Sequence, residues 1–245
     1  VNVHVFRAGE HKSVAEPLLR DDMSPAEKEI TGRWLGELWR QYTAAVESRR
    51  GLSSGTLNDY VNSFDERLAA QHGDAARTAL RAGLVDKVLG RNQANEYLAE
   101  LVGATDEAGR FQAVPFEYYV SRKRPGSRAR VKGDRVAVIT ARGDILPGEQ
   151  PAGAIGGDSL AALIRDTAER TGVKAIVLRV ASGGGSVFAS EVIRQQVLAA
   201  RGRGIPVVVS MGAVAASGGY YIAAEADEIW ATPATITGSI GVFAA

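Results

Sequence analysis

From Arg135 onward, β-branched runs alternate with amphipathic helical stretches: "RVAVITA", "DSLAALIRDTAE", "KAIVLRV", "VFASEVIRQQVLAARG" and "PVVVSM" follow one another with short joins. Strands separated by helix-length segments connect by crossovers rather than hairpins, so they run parallel in a buried sheet. This half of the chain is therefore of the α/β class. Sites in such sheets gather at the carboxyl ends of the strands. Two strand-to-helix joins fall there: the loop "ASGGGS", and "GAVAASGGYY", in which Ser217 stands between Ala216 and Gly218.

The first half has a different texture. "DDMSPAEKE" announces a helix, with Ser24 as N-cap, Pro25 at the first helical position and Glu27 closing a capping box. Ile30, Trp34, Leu35, Leu38, Tyr42 and Val46 follow at helical spacing up to Gly51, and this apolar stripe predicts packing on a neighbour. Further helices are predicted over "TLNDYVNSFDERLAA", "DAARTALRAG" and "ANEYLAELVG", with Gly83 and Gly103 as stops. Residues 20–103 thus read as mostly helical. "SRKRPGSRARVK" reads as a solvated basic connector, with a membrane-surface role as the sharper alternative. At the ends, "VNVHVF" already reads as a strand and "GSIGVFAA" begins another, so the chain reads as a piece of something longer.

Composition excludes several function classes. With 29 Lys and Arg against 28 Asp and Glu, no global field points to nucleic acid. The absence of cysteine rules out a disulfide framework, a thiol nucleophile and a Cys-based zinc site, and three histidines argue against a multi-His metal centre. No apolar run reaches the roughly 20 residues of a membrane span.

Ser217 suits a nucleophile, because its Oγ would project at the carboxyl edge of the sheet. The amide of Gly218 and the bare amides of Gly184 and Gly185 could receive a developing oxyanion. Read by themselves, small residues around a serine fit tight helix packing equally well, and a glycine loop fits a phosphate nest. Lys12 by itself reads as a surface lysine, and His72 in "QHGDAA" as an exposed loop histidine with Asp74 nearby.

The blocks "VKAIVLRVASGGGSVFASEVI", "PVVVSMGAVAASGGYYIAA" and "TITGSIGVF", in this order, resemble the catalytic half of the bacterial signal peptide peptidase A (protease IV) family. "HVFRAGEHKSVAEPLLRDDMSPAEKEITGRWLGELW" resembles the segment of its long, tandem-domain form that carries a general-base lysine. The resemblance implies a Clp protease/crotonase-like fold of parallel sheets with crossover helices. It implies two tandem related domains, both incomplete here: residues 1–118 as the end of the first, 119–133 as connector and 134–245 as the start of the catalytic domain. It further implies a Ser-Lys dyad of Ser217 and Lys12, a lysine-positioning serine at Ser239, and oxyanion donors at Gly218 and the glycine loop, Gly184 or Gly185. No metal or cofactor is implied. In this loop the family has Ser-Pro-Gly-Gly where this chain has Gly183 in place of the proline, which frees one backbone angle.

For a lysine to act as base, desolvation or neighbouring cations must lower its pKa, so Lys12 is expected to be buried. The resemblance implies a serine endopeptidase acting on apolar, extended peptides, the remnants of cleaved signal peptides. It places the catalytic part on the outer, periplasmic side of the bacterial cytoplasmic membrane, anchored through a segment missing from this chain and assembled as a homo-oligomer, a tetramer in the long form. Two other classes share features of the sequence. A crotonase-type acyl-CoA enzyme uses a glycine-loop oxyanion hole, and "RAGLVDKVLG" would suit it; a catalytically silent member would serve as an assembly scaffold.

Overall fold

The computed structural model describes residues 4–9, 11–103, 105–123 and 133–244. Strand β1 (Phe6–Ala8) and a 3-10 turn over Ser13–Leu18 precede the long helix α1 (Pro25–Arg50). Helices α2 (Thr56–Asn62), α3 (Phe64–Ala69), α4 (Ala75–Arg81), α5 (Arg91–Val102) and α6 (Phe116–Lys123) follow. The second half runs β2 (Arg135–Arg142), β3 (Ile145–Leu146), β4 (Ile155–Gly156), α7 (Gly157–Ala168), β5 (Val173–Ser182) and α8 (Val187–Gly202). It continues with β6 (Val207–Ala215), α9 (Gly218–Tyr221), β7 (Glu228–Trp230) and β8 (Val242–Ala244). Two compact units result, Val1–Leu38 with Val131–Ala245, and Trp39–Arg130. The boundary drawn at 119–133 from sequence texture separates the halves by composition; spatially, the first 38 residues group with the second half.

Helix α1 starts where the sequence predicts, but its capping box is only half formed. Ser24 Oγ accepts the Glu27 amide at 3.1 Å, whereas the Ser24 amide donates to the Glu16 carboxylate at 3.1 Å and Glu27 turns to the Thr31 hydroxyl at 3.1 Å. A carboxylate from the preceding turn thus replaces the local one. The helix predicted over residues 56–70 divides at Ser63, whose hydroxyl donates back to the Asp59 carbonyl at 2.6 Å and competes with the helical ladder. Of the predicted basic connector, residues up to Lys123 are helical and those from 124 to 132 lie outside the described residues. The strand predicted over residues 1–6 lies later, at Phe6–Ala8, with His4 and Val5 outside it and residues 1–3 outside the described residues. Leu35, Leu38 and Tyr42 of the α1 stripe remain exposed. In the unit of residues 39–130, buried Glu47 reaches from α1 to accept the Leu57 amide at 2.8 Å, capping α2 where Gly55 has no side chain to do so.

The main sheet has the order β2-β5-β6-β7, and every pair in it is parallel. Strand order advances in one direction only, so right-handed crossovers place α7 and α8 on the same face. Ile164 of α7 and Ile193 and Val197 of α8 pack there against Ile139, Ile176, Leu178, Val180, Val207 and Val209. Burial therefore alternates along the strands, although apolar residues occur on both faces. On the other face Val136 and Val138 are 59% and 68% exposed, and no described element of this chain covers them.

Replacing Ile193 with alanine leaves a void at a fully buried position and should destabilise the unit by about 2–5 kcal/mol. Leu198→Ala, on the exposed side of the same helix, should stay within about 1 kcal/mol. Urea unfolding of both variants beside wild type checks this ranking.

Candidate active site

Strand β6 does not end in a loop open to solvent. Its end and the turn beyond it pair with the segment before β8: the Ala215 amide donates to Ile236 O at 2.9 Å and the Ser217 amide to Gly238 O at 2.8 Å. Ser217 is thereby held at φ 51° and ψ −121°, a region that non-glycine residues rarely occupy. Its carbonyl accepts the amides of Tyr220 and Tyr221 at 3.0 and 2.9 Å and so starts α9. The serine stands at the turn between strand and helix, as its sequence context predicts.

The glycine loop after β5 lies against this turn. A Cβ on Gly184 would sit 2.6 Å from the Gly218 amide nitrogen and 2.9 Å from Ser217 Cβ, so no side chain fits there. Strand β3 clamps the loop from its other side, with the Ile145 amide donating to Gly184 O at 2.9 Å and the Ser186 amide to Ile145 O at 2.8 Å. The Gly184 amide itself donates to Ser182 Oγ at 3.1 Å. Among the described residues the amides of Gly185 and Gly218 make no such bond.

Lys12 arrives from the far end of the chain. Its Nζ donates to Ser217 Oγ at 2.8 Å across 205 residues of sequence, and to the main-chain carbonyl of Ser239 at 3.0 Å. The side chain is only 6% exposed and, among the described residues, has no ion-pair partner. Burial therefore pushes its pKa below the ordinary lysine value. The delivery depends on β1, which pairs antiparallel with β8 in the register Phe6 to Ala244, Arg7 to Phe243 and Ala8 to Val242. Ser239 joins the cluster, but through its carbonyl; its hydroxyl makes no hydrogen bond among the described residues. Lys12, Ser217, Gly218, Gly184, Gly185 and Ser239 all lie in one compact unit.

His72 and Asp74 belong to the other unit. His72 is exposed in the turn after α3, and Asp74 caps α4 by accepting the Arg77 amide at 2.9 Å. No cluster of candidate metal ligands occurs among the described residues.

The profile of peptidase family S49 matches residues 1–105 and 199–245, the two segments that bring Lys12 and Ser217 together. The chain belongs to peptidase family S49. It is 45% identical to Protease 4 of Salmonella typhi over 243 residues, covering 99% of this chain and 38% of that protein. Protease 4 of Haemophilus influenzae is 39% identical over 243 residues, covering 99% of this chain and 39% of that protein. The chloroplastic serine protease SPPA of Arabidopsis thaliana is 28% identical over 250 residues, covering all of this chain and 35% of that protein. The chain thus spans less than two-fifths of the length of these relatives.

In this S49 chain, sequence patterning missed Ile145, Ser182 and Gly238. Strands β3 and β4 have two residues each, too short to show periodicity, and Gly238 acts through its carbonyl, which leaves no mark on residue type.

The buried lysine has a sign-definite consequence. Between its lowered folded-state pKa and the ordinary value of 10.5, the unfolded chain holds a proton that the folded chain has released, so stability rises with pH across that window. Below it the folded protein carries the whole cost of a buried ammonium. Lys12→Met should therefore be more stable than wild type at neutral pH, with the advantage shrinking as pH approaches 10.5. Denaturant midpoints at a series of pH values measure this. Ser217→Gly should likewise raise stability by about 1 kcal/mol relative to Ser217→Ala, because glycine relieves the positive φ.

Proposed function

We propose that this chain carries the reacting groups of a serine endopeptidase with a Ser217–Lys12 dyad. The observation that supports this most is the 2.8 Å contact between Lys12 Nζ and Ser217 Oγ at a buried position where the lysine has no carboxylate partner among the described residues. A lysine stabilised by an ion pair would stay protonated; one that is desolvated and bonded only to a hydroxyl and a carbonyl loses its proton more readily than an ordinary lysine.

In this reading, neutral Lys12 takes the Ser217 proton as Oγ attacks the scissile carbonyl. The resulting oxyanion is received by the Gly218 and Gly185 amides, since the Gly184 amide is occupied by Ser182 Oγ. The Lys12 ammonium, held by the Ser239 carbonyl, then protonates the leaving amine. Water, activated by the same lysine, releases the acyl group from Ser217. Ser239 serves as a positioning residue through its main chain. An acyl-CoA enzyme would also use the amides, but it would leave the Lys12–Ser217 contact without a role.

The substrates of this reading are extended apolar peptides, with remnant signal peptides as the natural class, cut at the outer face of the bacterial cytoplasmic membrane by a homo-oligomer. The names of the Protease 4 relatives support peptide substrates, and the name of a protein of Enterococcus faecium, 43% identical over 74 residues, which describes a signal peptide peptidase, supports that substrate class. Among the described residues no helix is long and apolar enough to cross a membrane, so this reading assigns the anchor to another segment.

Ser217→Ala and Lys12→Met should each lower kcat on an apolar peptide by at least about 10³-fold, and Lys12→Arg should be equally inactive because arginine stays protonated. A fluorophosphonate should label wild type at Ser217 and fail on Lys12→Met. Ser239→Ala should retain most of the activity, because the carbonyl persists. An active Lys12→Met protein, or label at another serine, ends the dyad reading.

A further inference from the structure

The β1–β8 pairing ends at Ala8 and Val242, and the next residues, Gly9 and Gly241, lie against each other. There the two main chains touch. A Cβ on Gly9 would lie 2.4 Å from Ile240 O and 3.0 Å from Gly241 Cα, and a Cβ on Gly241 would lie 2.1 Å from Ala8 O and 3.0 Å from Gly9 Cα. Both residues also sit at positive φ, 120° and 142°, which side chains of L-residues rarely tolerate. Lys12 follows Gly9 by three residues, and Ser239 precedes Gly241 by two, so the base and the carbonyl that holds it both leave from this one crossing.

We propose that Gly9 and Gly241 are positioning residues: their side-chain-free crossing sets the distance at which Lys12 meets Ser217. The proposal rests on the dyad reading. Little else ties the segment down. All three residues of β1 are exposed, and among described residues 4–24 only Lys12 and Ala15 are buried. Any side chain at the crossing must force the two main chains apart, and Lys12 follows only three residues later in sequence. Proton transfer needs hydrogen-bond distance, and a misplacement of about 1 Å in reacting groups can cost about 100-fold in rate. The substrate-facing amides of Gly185 and Gly218 stand on other elements and are left in place.

The test uses Gly9→Ala and Gly241→Ala in the intact protein, with Gly172→Ala as a control. Gly172 also has positive φ, 86°, and its Cβ would lie 2.9 Å from Gly133 O, but it sits at the amino end of β5, away from the site. Arg7→Pro, which disrupts the same ribbon without adding bulk at the crossing, serves if a glycine variant fails to fold. Peptide hydrolysis is measured across pH, with unfolding midpoints alongside. Each ribbon variant should lose about 100-fold in kcat with KM unchanged. The ascending limb of its pH–rate profile should move to higher pH, because a lysine displaced toward water regains its charge. The groups facing Nζ are the Ser217 hydroxyl and the Ser239 carbonyl, and no charged side chain contacts it among the described residues, so solvent access governs that limb. Gly172→Ala should lower the unfolding midpoint and leave both kcat and the limb unmoved.

Wild-type kcat and profile in the ribbon variants, or a loss of kcat without any alkaline shift, overturn the proposal. If Lys12→Met is inactive while Gly9→Ala behaves as wild type, this proposal alone fails. If Lys12→Met is active, the dyad reading fails and takes this proposal with it.

Discussion

Two consecutive carbonyls organise this site. Gly238 O accepts the Ser217 amide and Ser239 O accepts a hydrogen bond from Lys12 Nζ, so one dipeptide holds a serine from the end of the main sheet and a lysine from early in the chain. Neighbouring carbonyls in an extended strand point in opposite directions. Here Gly238 and Ser239 both take positive φ, 84° and 50°, which turns the backbone so that both oxygens serve the same cluster. The strain at Ser217 and Ser239 is retained because the hydrogen bonds and the β1–β8 ribbon over-determine both conformations.

The electrostatics follow from what the cluster leaves out. A lysine buried beside a carboxylate would be stabilised in its charged form, and the contact with Ser217 would then be a simple donor bond. Lys12 instead has two neutral oxygen partners, and desolvation alone moves its pKa downward. Folding opposes that charge, and the β1–β8 pairing, with buried Ala15, holds the segment in place. Folding stability and the ease with which Lys12 loses its proton are therefore set against each other at one side chain.

The sheet supplies the platform. Its strands advance in one direction, so the crossover helices cover a single face, and the ends of β5 and β6 present the glycine loop and Ser217 side by side. The close approach of Gly184 to Gly218 lets the two turns interlock. β3, only two residues long, fixes the loop through Ile145 and leaves the Gly185 amide without an internal acceptor among the described residues.

Residue order by itself determined the regular elements. The helix start at Ser24, the stops at Gly51, Gly83 and Gly103, the three long parallel strands and the placement of Ser217 at a strand end are all local consequences of periodicity and backbone preference, which few tertiary contacts override. Lys12 was legible only through resemblance of its segment to a known family, because no local pattern distinguishes a buried lysine from a solvated one. Tertiary structure decided the rest. It chose the Ser239 carbonyl over its hydroxyl, engaged the Gly184 amide rather than that of Gly185, drew Glu16 rather than Glu27 onto the Ser24 amide, and left Val136 and Val138 exposed. Each of these depends on which main-chain groups meet across long stretches of sequence. Main-chain groups are the same in every residue, so their pairing is written in geometry and not in composition.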